Sequence, residues 1–206
     1  MNVFVLCTGR CGSTSFFEAC RHAKNYSASH EDKRSILGRP RFEYPENHIA
    51  VDYRLSWMLG RLDLAYGKNA FYVHLLRDPQ KVAQSFARMA QIERSSSTVI
   101  DKFDLPNRLN RMGAPVWAHM HVQAQKTFPL DLVAEDMVRS INSDIKLFLK
   151  DKQWTSVQVE TVEEDFPKFW GKIGAQGDLA IAMNEWRVIH NDIDTVEGKA
   201  SAAANS

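Results

Sequence analysis

The chain has 206 residues, of which 44% are hydrophobic, so it can bury a sizeable core, and its length favours a single domain. Its 26 Lys and Arg residues are balanced by 25 Asp and Glu residues, which excludes the strong overall field of general nucleic-acid or membrane binders. Any anion site must therefore be local.

The chain carries no recognisable targeting or metal-binding pattern. Its first apolar run is too short for a signal segment or a membrane span, so we expect a cytoplasmic protein. The spacing of Cys7, Cys11 and Cys20 matches no zinc motif, so we expect reduced thiols and no metal. We predict one domain over residues 1–197 and a disordered, small and polar tail over residues 198–206.

The first predicted elements enclose a glycine loop. The apolar run Val3–Leu6 is typical of a strand buried on both faces. Two glycines, a cation and two hydroxyls follow over residues 9–14, and apolar residues then recur at helical spacing to about residue 24. Strand, glycine loop and helix together are typical of a phosphate-binding loop, because glycines let backbone N–H groups approach an anion at a helix N-terminus.

The remaining elements continue the alternation of strands and helices. A polar segment over residues 26–32 and an irregular basic loop over residues 33–47 come first. Further strands are predicted over residues 48–52, 71–76 and 157–160, and helices over residues 54–65, 79–89, 115–128, 132–150 and 178–189. We therefore expect a P-loop NTPase-like, three-layer α/β/α fold with a mostly parallel central sheet.

The glycine loop does not match the common nucleotide motifs. A P-loop kinase needs Lys directly after the last glycine, but Ser13 follows Gly12 and the cation stands earlier, at Arg10. The dinucleotide motif G-x-G-x-x-G is absent. A second loop, which begins at Arg77, also follows a predicted strand. Since ligands of such folds bind at the carboxyl ends of strands, the two loops predict two anion sites at one edge.

TGRCGST after the first strand, together with HLLRDPQKVAQSF from residue 74, resembles the sulfotransferase superfamily in its bacterial-type members. That resemblance implies a co-substrate, 3′-phosphoadenosine 5′-phosphosulfate (PAPS), and sulfuryl transfer to a hydroxyl or amine. It assigns the 3′-phosphate to Arg77 and Ser85, which reproduce the family's separation of eight positions. It assigns the 5′-phosphosulfate to the loop residues Arg10, Cys11, Gly12, Ser13, Thr14 and Ser15.

A partial third match, KIGAQGDL from Lys172, resembles the late glycine-rich loop of the family. It implies that Lys172 and Gly174 also bind the nucleotide. Ile173 departs from the pattern, because animal cytosolic members carry a second cation there.

The implied reaction also needs charge stabilisation and a general base. Arg10 and the loop amides would stabilise the leaving oxygen without a metal. Family members use His or, in tyrosyl-protein members, Glu after the first helix. Glu31 is therefore the first candidate base, His30 the second, and Asp52 after the second predicted strand the third.

The sequence thus predicts a PAPS-dependent sulfotransferase acting on a small-molecule or glycan acceptor, with no nucleic-acid partner and no membrane span. A divergent P-loop nucleotide kinase and a non-catalytic nucleotide-binding module are the alternatives. The identity of the acceptor, the oligomeric state and the role of residues 91–112 are left open by the sequence.

Overall fold

A computed structural model describes residues 1–95, 127–188 and 190. Residues 115–126 of one predicted helix, the end of another at residue 189 and the predicted tail over residues 198–206 lie outside this part. The chain divides into two compact units. The first consists of Met1–Asp78 and Ser140–Val188, and the second of Pro79–Arg139 and Ile189–Ser206.

The first unit is built on a five-stranded sheet in which every pairing is parallel. The strand order is β2-β3-β1-β4-β5, so the first strand in the chain is central in the sheet. The predicted α/β fold with a parallel central sheet is confirmed. The strands are β1 (Val3–Leu6), β2 (Ser27–His30), β3 (His48–Val51), β4 (Phe71–Leu76) and β5 (Gln153–Gln158).

In the described part of the chain, helices lie between strands of the sheet and after the last strand. They are α1 (Ser13–Cys20), α2 (Leu59–Tyr66), α3 (Pro79–Ser95), α4 (Leu130–Phe148), α5 (Val162–Lys172) and α6 (Leu179–Asn184). Short 3₁₀ turns cover Arg39–Phe42, Tyr53–Trp57, Leu149–Asp151, Val159–Thr161 and Glu185–Arg187. The second unit holds α3 and residues 130–139 of α4. No helix of the described residues has both the length and the apolar character of a membrane span.

An aromatic cluster fills the layer on one face of the sheet. Phe16 of α1 contacts Phe166 and Phe169 of α5, with ring centroids 5.4 and 5.1 Å apart, and Trp186 at 5.9 Å. Phe16, Phe166 and Phe169 are fully buried, and burying one such ring contributes about 1.5–3 kcal/mol. The cluster therefore fixes α1, and with it the loop that precedes α1, against the carboxyl-terminal part of the chain.

The opposite face is covered by α2 and by the part of α4 that belongs to the first unit. Phe4 of β1 packs on Tyr66 of α2 with ring centroids 4.5 Å apart, and Tyr72 of β4 packs on Phe148 of α4 at 5.2 Å. Successive side chains of a strand point to opposite faces, so β1 and β4 are buried on both sides. This burial explains why β1 is a continuous apolar run and why β4 is apolar apart from His74, whose Nε2 lies 3.0 Å from Asn142 Oδ1.

The edge strand β2 was not predicted, because Ser27–His30 is polar. Its polar side chains are satisfied by the neighbouring strand: the Ser27 and Ser29 hydroxyls lie 2.8 Å from Nδ1 and Nε2 of His48, respectively. β2 can therefore pair with β3 without the alternation of apolar and polar residues that is typical of a half-buried strand.

Other elements also differ from the predictions. The first helix ends at Cys20 rather than near residue 24, and the predicted helix over residues 54–65 is divided into a 3₁₀ turn and α2. Strand β5 begins four residues before the predicted position, at Gln153. The sequence analysis predicts no element for the α5 segment, although Phe166, Phe169 and Trp170 recur at helical spacing on the buried face of this helix.

Candidate functional site

The loop between β1 and α1 has an unusual backbone. Gly9, Arg10 and Gly12 have φ angles of 80°, 55° and 84°, all in the left-handed region that favours glycine. Gly12 is also the N-cap of α1 and has no side chain to bond the first N–H groups of that helix. Left-handed residues that bring successive N–H groups to one side form a concavity suited to an anion.

The position of Gly12 is restricted by packing as well as by its backbone. A Cβ atom there would lie 3.1 Å from Cγ2 of Val159 and 3.4 Å from the Trp186 ring. A larger residue would therefore push the loop away from the carboxyl-terminal segment. The loop needs glycine for two independent reasons.

Ser56 holds the other end of the loop. Its hydroxyl accepts a hydrogen bond from the Cys7 N–H at 3.0 Å and donates one to the Cys7 carbonyl oxygen at 2.9 Å. Both atoms of this backbone unit are buried, so a polar partner is required. Ser56 thus fixes the point at which the chain leaves the sheet and enters the loop.

Arg77 follows β4, the strand that pairs with β1. Its Nη1 donates a hydrogen bond to the carbonyl oxygen of Arg10 at 3.1 Å, so the end of β4 is connected to the glycine loop. Burial, and then the nearby Arg77 charge, lower the pKa of Arg10 from its ordinary value. Two guanidinium groups brought close together in this way favour a ligand with negative charge.

This position also has the topology of a ligand site. The chain leaves β1 toward β2 and β3, whereas it leaves β4 toward β5 on the other side of the sheet. The crevice outside the carboxyl ends of two such strands is where open α/β sheets bind ligands.

His30 ends β2 and reaches the start of α1. Its Nε2 lies 3.2 Å from the hydroxyl oxygen of Ser13, and its ring stacks on Phe17 with centroids 5.7 Å apart. Burial lowers the pKa of His30 from its ordinary value of 6.5, and the nearby charge of Glu31 partly opposes that shift. His30 is therefore largely neutral at pH 7 and able to accept a proton.

Glu31 and Asp52 belong to an ion network around Arg54. Arg54 Nη2 lies 2.6 Å from Glu31 Oε2, and Arg54 Nε lies 3.3 Å from Asp52 Oδ1. The other Glu31 oxygen is 3.8 Å from His30 Nε2. Burial raises the pKa of Asp52 despite the Arg54 charge, whereas for Arg54 the two carboxylates outweigh burial and raise the pKa.

The structure brings most of the predicted site residues to the carboxyl ends of the parallel strands. The residues at or just beyond the ends of β1–β4 are loop residues 10–15, His30, Glu31, Asp52 and Arg77. Ser85 lies in α3, in the second unit, and is half-buried. Within the described residues, no group of three or more His, Cys, Asp and Glu side chains could hold a metal ion.

Lys172 and Gly174 lie at the amino ends of the strands, opposite to the glycine loop. Lys172 ends α5 and its Nζ donates to the Thr155 hydroxyl at 3.0 Å. The Gly174 carbonyl accepts from the Asn25 side chain, which precedes β2 and therefore lies at the amino ends of the strands. The glycine loop is at the carboxyl ends, so the structure does not bring this late loop to it.

Sequence reasoning missed Arg54 as a residue of this site. It was interpreted only as the start of a helix, yet its guanidinium connects Glu31 with Asp52. The sequence contained a signal for this role. Arg54 comes two residues after Asp52, which ends the strand predicted over residues 48–52, so both side chains must lie at the carboxyl end of that strand. Arg41, interpreted as part of a basic loop, is buried with its Nη2 4.0 Å from Asp52 Oδ2.

Comparison with known proteins gives a fold-level result. No protein-family model matches the chain, and no curated protein sequence matches it. A solved structure described as the sulfotransferase domain from the curacin biosynthetic pathway superposes with a TM-score of 0.54. The likeness covers 85% of this chain and 74% of that one at 12% identity. The chain has a sulfotransferase-like fold. At this identity the likeness concerns the fold alone.

Proposed function

We propose that the protein is a sulfotransferase that moves a sulfuryl group from PAPS to a hydroxyl or amine. The observation that carries the proposal is the pairing of two loops at one crevice: the glycine loop after β1 and Arg77 after β4, joined by the hydrogen bond from Arg77 to the Arg10 carbonyl. The sulfotransferase-like fold supports it.

PAPS has a 5′-phosphosulfate and a 3′-phosphate, which need two separate anion sites. The amides of the glycine loop, Arg10 and the hydroxyl-bearing residues Ser13–Ser15 would bind the first. Arg77 would bind the second. Each hydrogen bond to a charged phosphate contributes about 1.5–3 kcal/mol, so the 3′-phosphate would distinguish PAPS from ATP.

For the general base we propose His30 rather than Glu31. One oxygen of the Glu31 carboxylate is already occupied by the Arg54 guanidinium at 2.6 Å, and the other lies 3.8 Å from His30. Asp52 is 2% exposed and accepts from the Arg54 N–H, so an acceptor has little access to it. Burial favours the neutral imidazole of His30, and its Nε2 lies 3.2 Å from the Ser13 hydroxyl at the start of α1.

In this mechanism His30 takes the proton of the acceptor hydroxyl while the hydroxyl oxygen forms a bond to the sulfur of PAPS. The bond from sulfur to the bridging oxygen breaks, and adenosine 3′,5′-bisphosphate leaves. Negative charge develops on that bridging oxygen, where Arg10 and the amides at the start of α1 stabilise it. Glu31 would stabilise the imidazolium from 3.8 Å.

Nucleotide binding is the first test. Isothermal titration should give a dissociation constant for adenosine 3′,5′-bisphosphate that Arg77→Ala weakens by at least about tenfold, the equivalent of one charge-assisted hydrogen bond. Arg61→Ala is the matched control, because that exposed arginine lies in α2 and packs over Phe42. Tighter binding of ATP with Mg²⁺ would instead favour the kinase alternative.

Transfer of labelled sulfate to a panel of alcohols, sugars and amines is the second test. His30→Asn should lower kcat by about 10²-fold or more, the usual contribution of a general base, while leaving nucleotide affinity within a fewfold. Full turnover in His30→Asn would remove His30 as the base. Nucleotide binding without transfer to any acceptor would support a non-catalytic module.

A further inference from the structure

A line of hydrogen bonds joins side chains of β2, of β3 and of the turn after β2. Nδ1 and Nε2 of His48 lie 2.8 Å from the hydroxyl oxygens of Ser27 and Ser29, respectively. The Ser29 hydroxyl in turn donates to Asp32 Oδ1 at 2.9 Å. The parallel register places Ser27 directly opposite His48, so both side chains are on the same face of the sheet. The side chains therefore form a continuous relay from Ser27 to Asp32.

The carboxylate at the end of this relay sets the direction of every bond in it. An ionised carboxylate can only accept, so the hydroxyl proton of Ser29 goes to Asp32. The Ser29 oxygen is then left to accept, and the proton it accepts is on Nε2 of His48. A neutral imidazole has a single N–H, so Nδ1 has a lone pair and accepts from the Ser27 hydroxyl. The network thus fixes the tautomer in which His48 is a base toward Ser27.

The two ends of the Ser27–His48 contact differ in exposure. His48 is 6% exposed, and its ring stacks on that of Tyr44 with centroids 5.2 Å apart and 20° between the planes. Burial lowers the pKa of His48 from its ordinary value of 6.5, although the Asp32 charge opposes that shift, so the neutral base prevails at pH 7. Ser27, in contrast, is exposed. A dissolved reagent can therefore reach Ser27, while the imidazole behind it is held in place and shielded from water.

The contact between Ser13 and His30 lacks this order. The Ser13 hydroxyl oxygen and the Glu31 carboxylate both approach the same nitrogen of His30, Nε2, at 3.2 and 3.8 Å. A carboxylate in that position competes with the hydroxyl for one nitrogen. In the relay, the hydroxyl and the orienting group are on opposite nitrogens of His48, which is the arrangement that activates a serine as a nucleophile.

The relay is separated from the glycine loop by the sheet. Successive side chains of a strand point to opposite faces, so Ser27 and Ser29 share one face of β2. His30 is on the other face, where its ring stacks on Phe17 of α1. Ser27 also begins β2, whereas the candidate site lies at the carboxyl ends of the strands. The relay is therefore not part of the proposed nucleotide site.

We propose that Ser27 is a covalent modification site, a nucleophilic serine that takes an acyl group from an activated ester with His48 as its general base. Ser29 and Asp32 act through His48, so they are positioning residues. The proposal does not depend on the proposed function.

The transfer is balanced with an ester as the acyl donor. Oγ of Ser27 forms a bond to the carbonyl carbon of the ester while its proton moves to Nδ1 of His48. The bond from that carbon to the leaving oxygen breaks, and the departing phenolate or alkoxide takes the proton from His48. The products are an acyl ester on Ser27 and a free phenol or alcohol, and His48 returns to its neutral tautomer.

Incubation with p-nitrophenyl acetate tests the proposal. Absorbance follows the release of p-nitrophenol, and peptide mass spectrometry identifies the acetylated residue. We expect an acetyl group on Ser27, added at least about 10²-fold faster than on Ser13, since a general base contributes at least this factor. His48→Asn should slow acetylation of Ser27 by a similar factor. His22→Asn is the matched control, because that histidine contacts Glu185 and no residue of the relay.

The tautomer of His48 gives a readout that does not depend on reactivity. Long-range ¹H–¹⁵N spectra distinguish a protonated from an unprotonated ring nitrogen, and we expect the proton on Nε2. Ser29→Ala removes the acceptor of that N–H, so it should increase the Nδ1–H tautomer and slow acetylation of Ser27. Asp32→Asn keeps an oxygen that can accept from Ser29, so it should react faster than Asp32→Ala.

The outcomes separate this proposal from the proposed function. If Ser27 reacts no faster than Ser13 while circular dichroism shows a folded protein, the modification site is wrong. It is also wrong if folded His48→Asn is acetylated at the wild-type rate, because exposure alone would then explain the labelling. Should that variant fail to fold, an Nδ1–H tautomer in the wild type would contradict the proposal. Acetylation of Ser27 in a protein that binds no nucleotide would remove the proposed function and leave the modification site.

Discussion

Replacement of Gly12 by alanine tests the loop conformation on which the proposed site depends. Gly12 has φ 84°, and a left-handed conformation costs a residue with a Cβ roughly 1–2 kcal/mol. The added Cβ would also lie 3.1 Å from Val159 Cγ2, so that side chain must shift. Alanine restricts the unfolded chain and returns about 0.4–1 kcal/mol. These backbone terms leave a loss of about 0–1.6 kcal/mol, and the displacement of Val159 adds to it, so we expect a net loss of about 1–2 kcal/mol in the free energy of unfolding.

Gly60→Ala is the matched control. Gly60 lies in α2, has no positive φ, and a Cβ there would meet no atom within 4 Å. Because glycine is a poor helix former, this variant should be as stable as the wild type or gain roughly 0.5 kcal/mol. Gly12→Ala should therefore lower stability and Gly60→Ala should not, although the chemistry of the replacement is identical.

Urea unfolding followed by circular dichroism measures both variants, and titration with adenosine 3′,5′-bisphosphate measures the loop directly. Gly12→Ala should lose affinity as well as stability, and Gly60→Ala should lose neither. If Gly12→Ala proves as stable as Gly60→Ala and binds the nucleotide normally, the left-handed loop described above is not the binding element.

Gly177→Ala should lower the free energy of unfolding by about 3 kcal/mol or more, because its Cβ would lie 2.1 Å from the His22 carbonyl oxygen. Urea unfolding should therefore rank it as more destabilising than Gly12→Ala. Phe166→Ala should cost about 3–5 kcal/mol in the same assay, since this fully buried ring contacts Phe16, and a smaller loss would contradict the aromatic cluster. If His30 is the base, kcat/KM should rise with pH to a half-maximum below the ordinary value of 6.5, because burial favours its neutral form. Glu31→Gln should move that half-maximum to still lower pH, since Glu31 raises the pKa of His30; movement to higher pH would contradict the assignment.

The central part of the fold was predictable from local pattern. The strands Val3–Leu6 and Phe71–Leu76 were predicted to the residue, because strands buried on both faces are short apolar runs bounded by turn residues. The start of the predicted helix over residues 178–189 also agrees with the structure, where Asp178 is the N-cap of α6 and its carboxylate accepts from the Ile181 N–H at 3.1 Å. These signals are local, so a single sequence contains them.

The missed elements depend on partners distant in the chain. Strand β2 is polar and is stabilised by His48, a residue on another strand, so no window around residue 27 reveals it. Helix α5 contains Pro167, which argues locally against a helix, yet burial of Phe166 and Phe169 outweighs that cost. Tertiary contacts decide both cases.

The residues of the proposed site also divide into those that local sequence predicts and those that only tertiary contacts reveal. The glycine loop and Arg77 could be inferred from the ends of predicted strands. The position of Lys172 could not, because the resemblance of a short segment says nothing about which edge of the sheet a loop occupies. Likewise, the preference for His30 over Glu31 depends on Arg54, whose 2.6 Å contact with Glu31 only the folded chain reveals.

The central position of β1 has a consequence for biosynthesis. During translation this strand leaves the ribosome before β3 and β4, the two strands between which it pairs. The apolar run Val3–Leu6, buried in the finished sheet, stays without both neighbours until the chain has grown past Leu76. A nascent segment of this kind is prone to aggregate and suited to a holding chaperone, so slower growth at low temperature should raise the yield of recombinant protein.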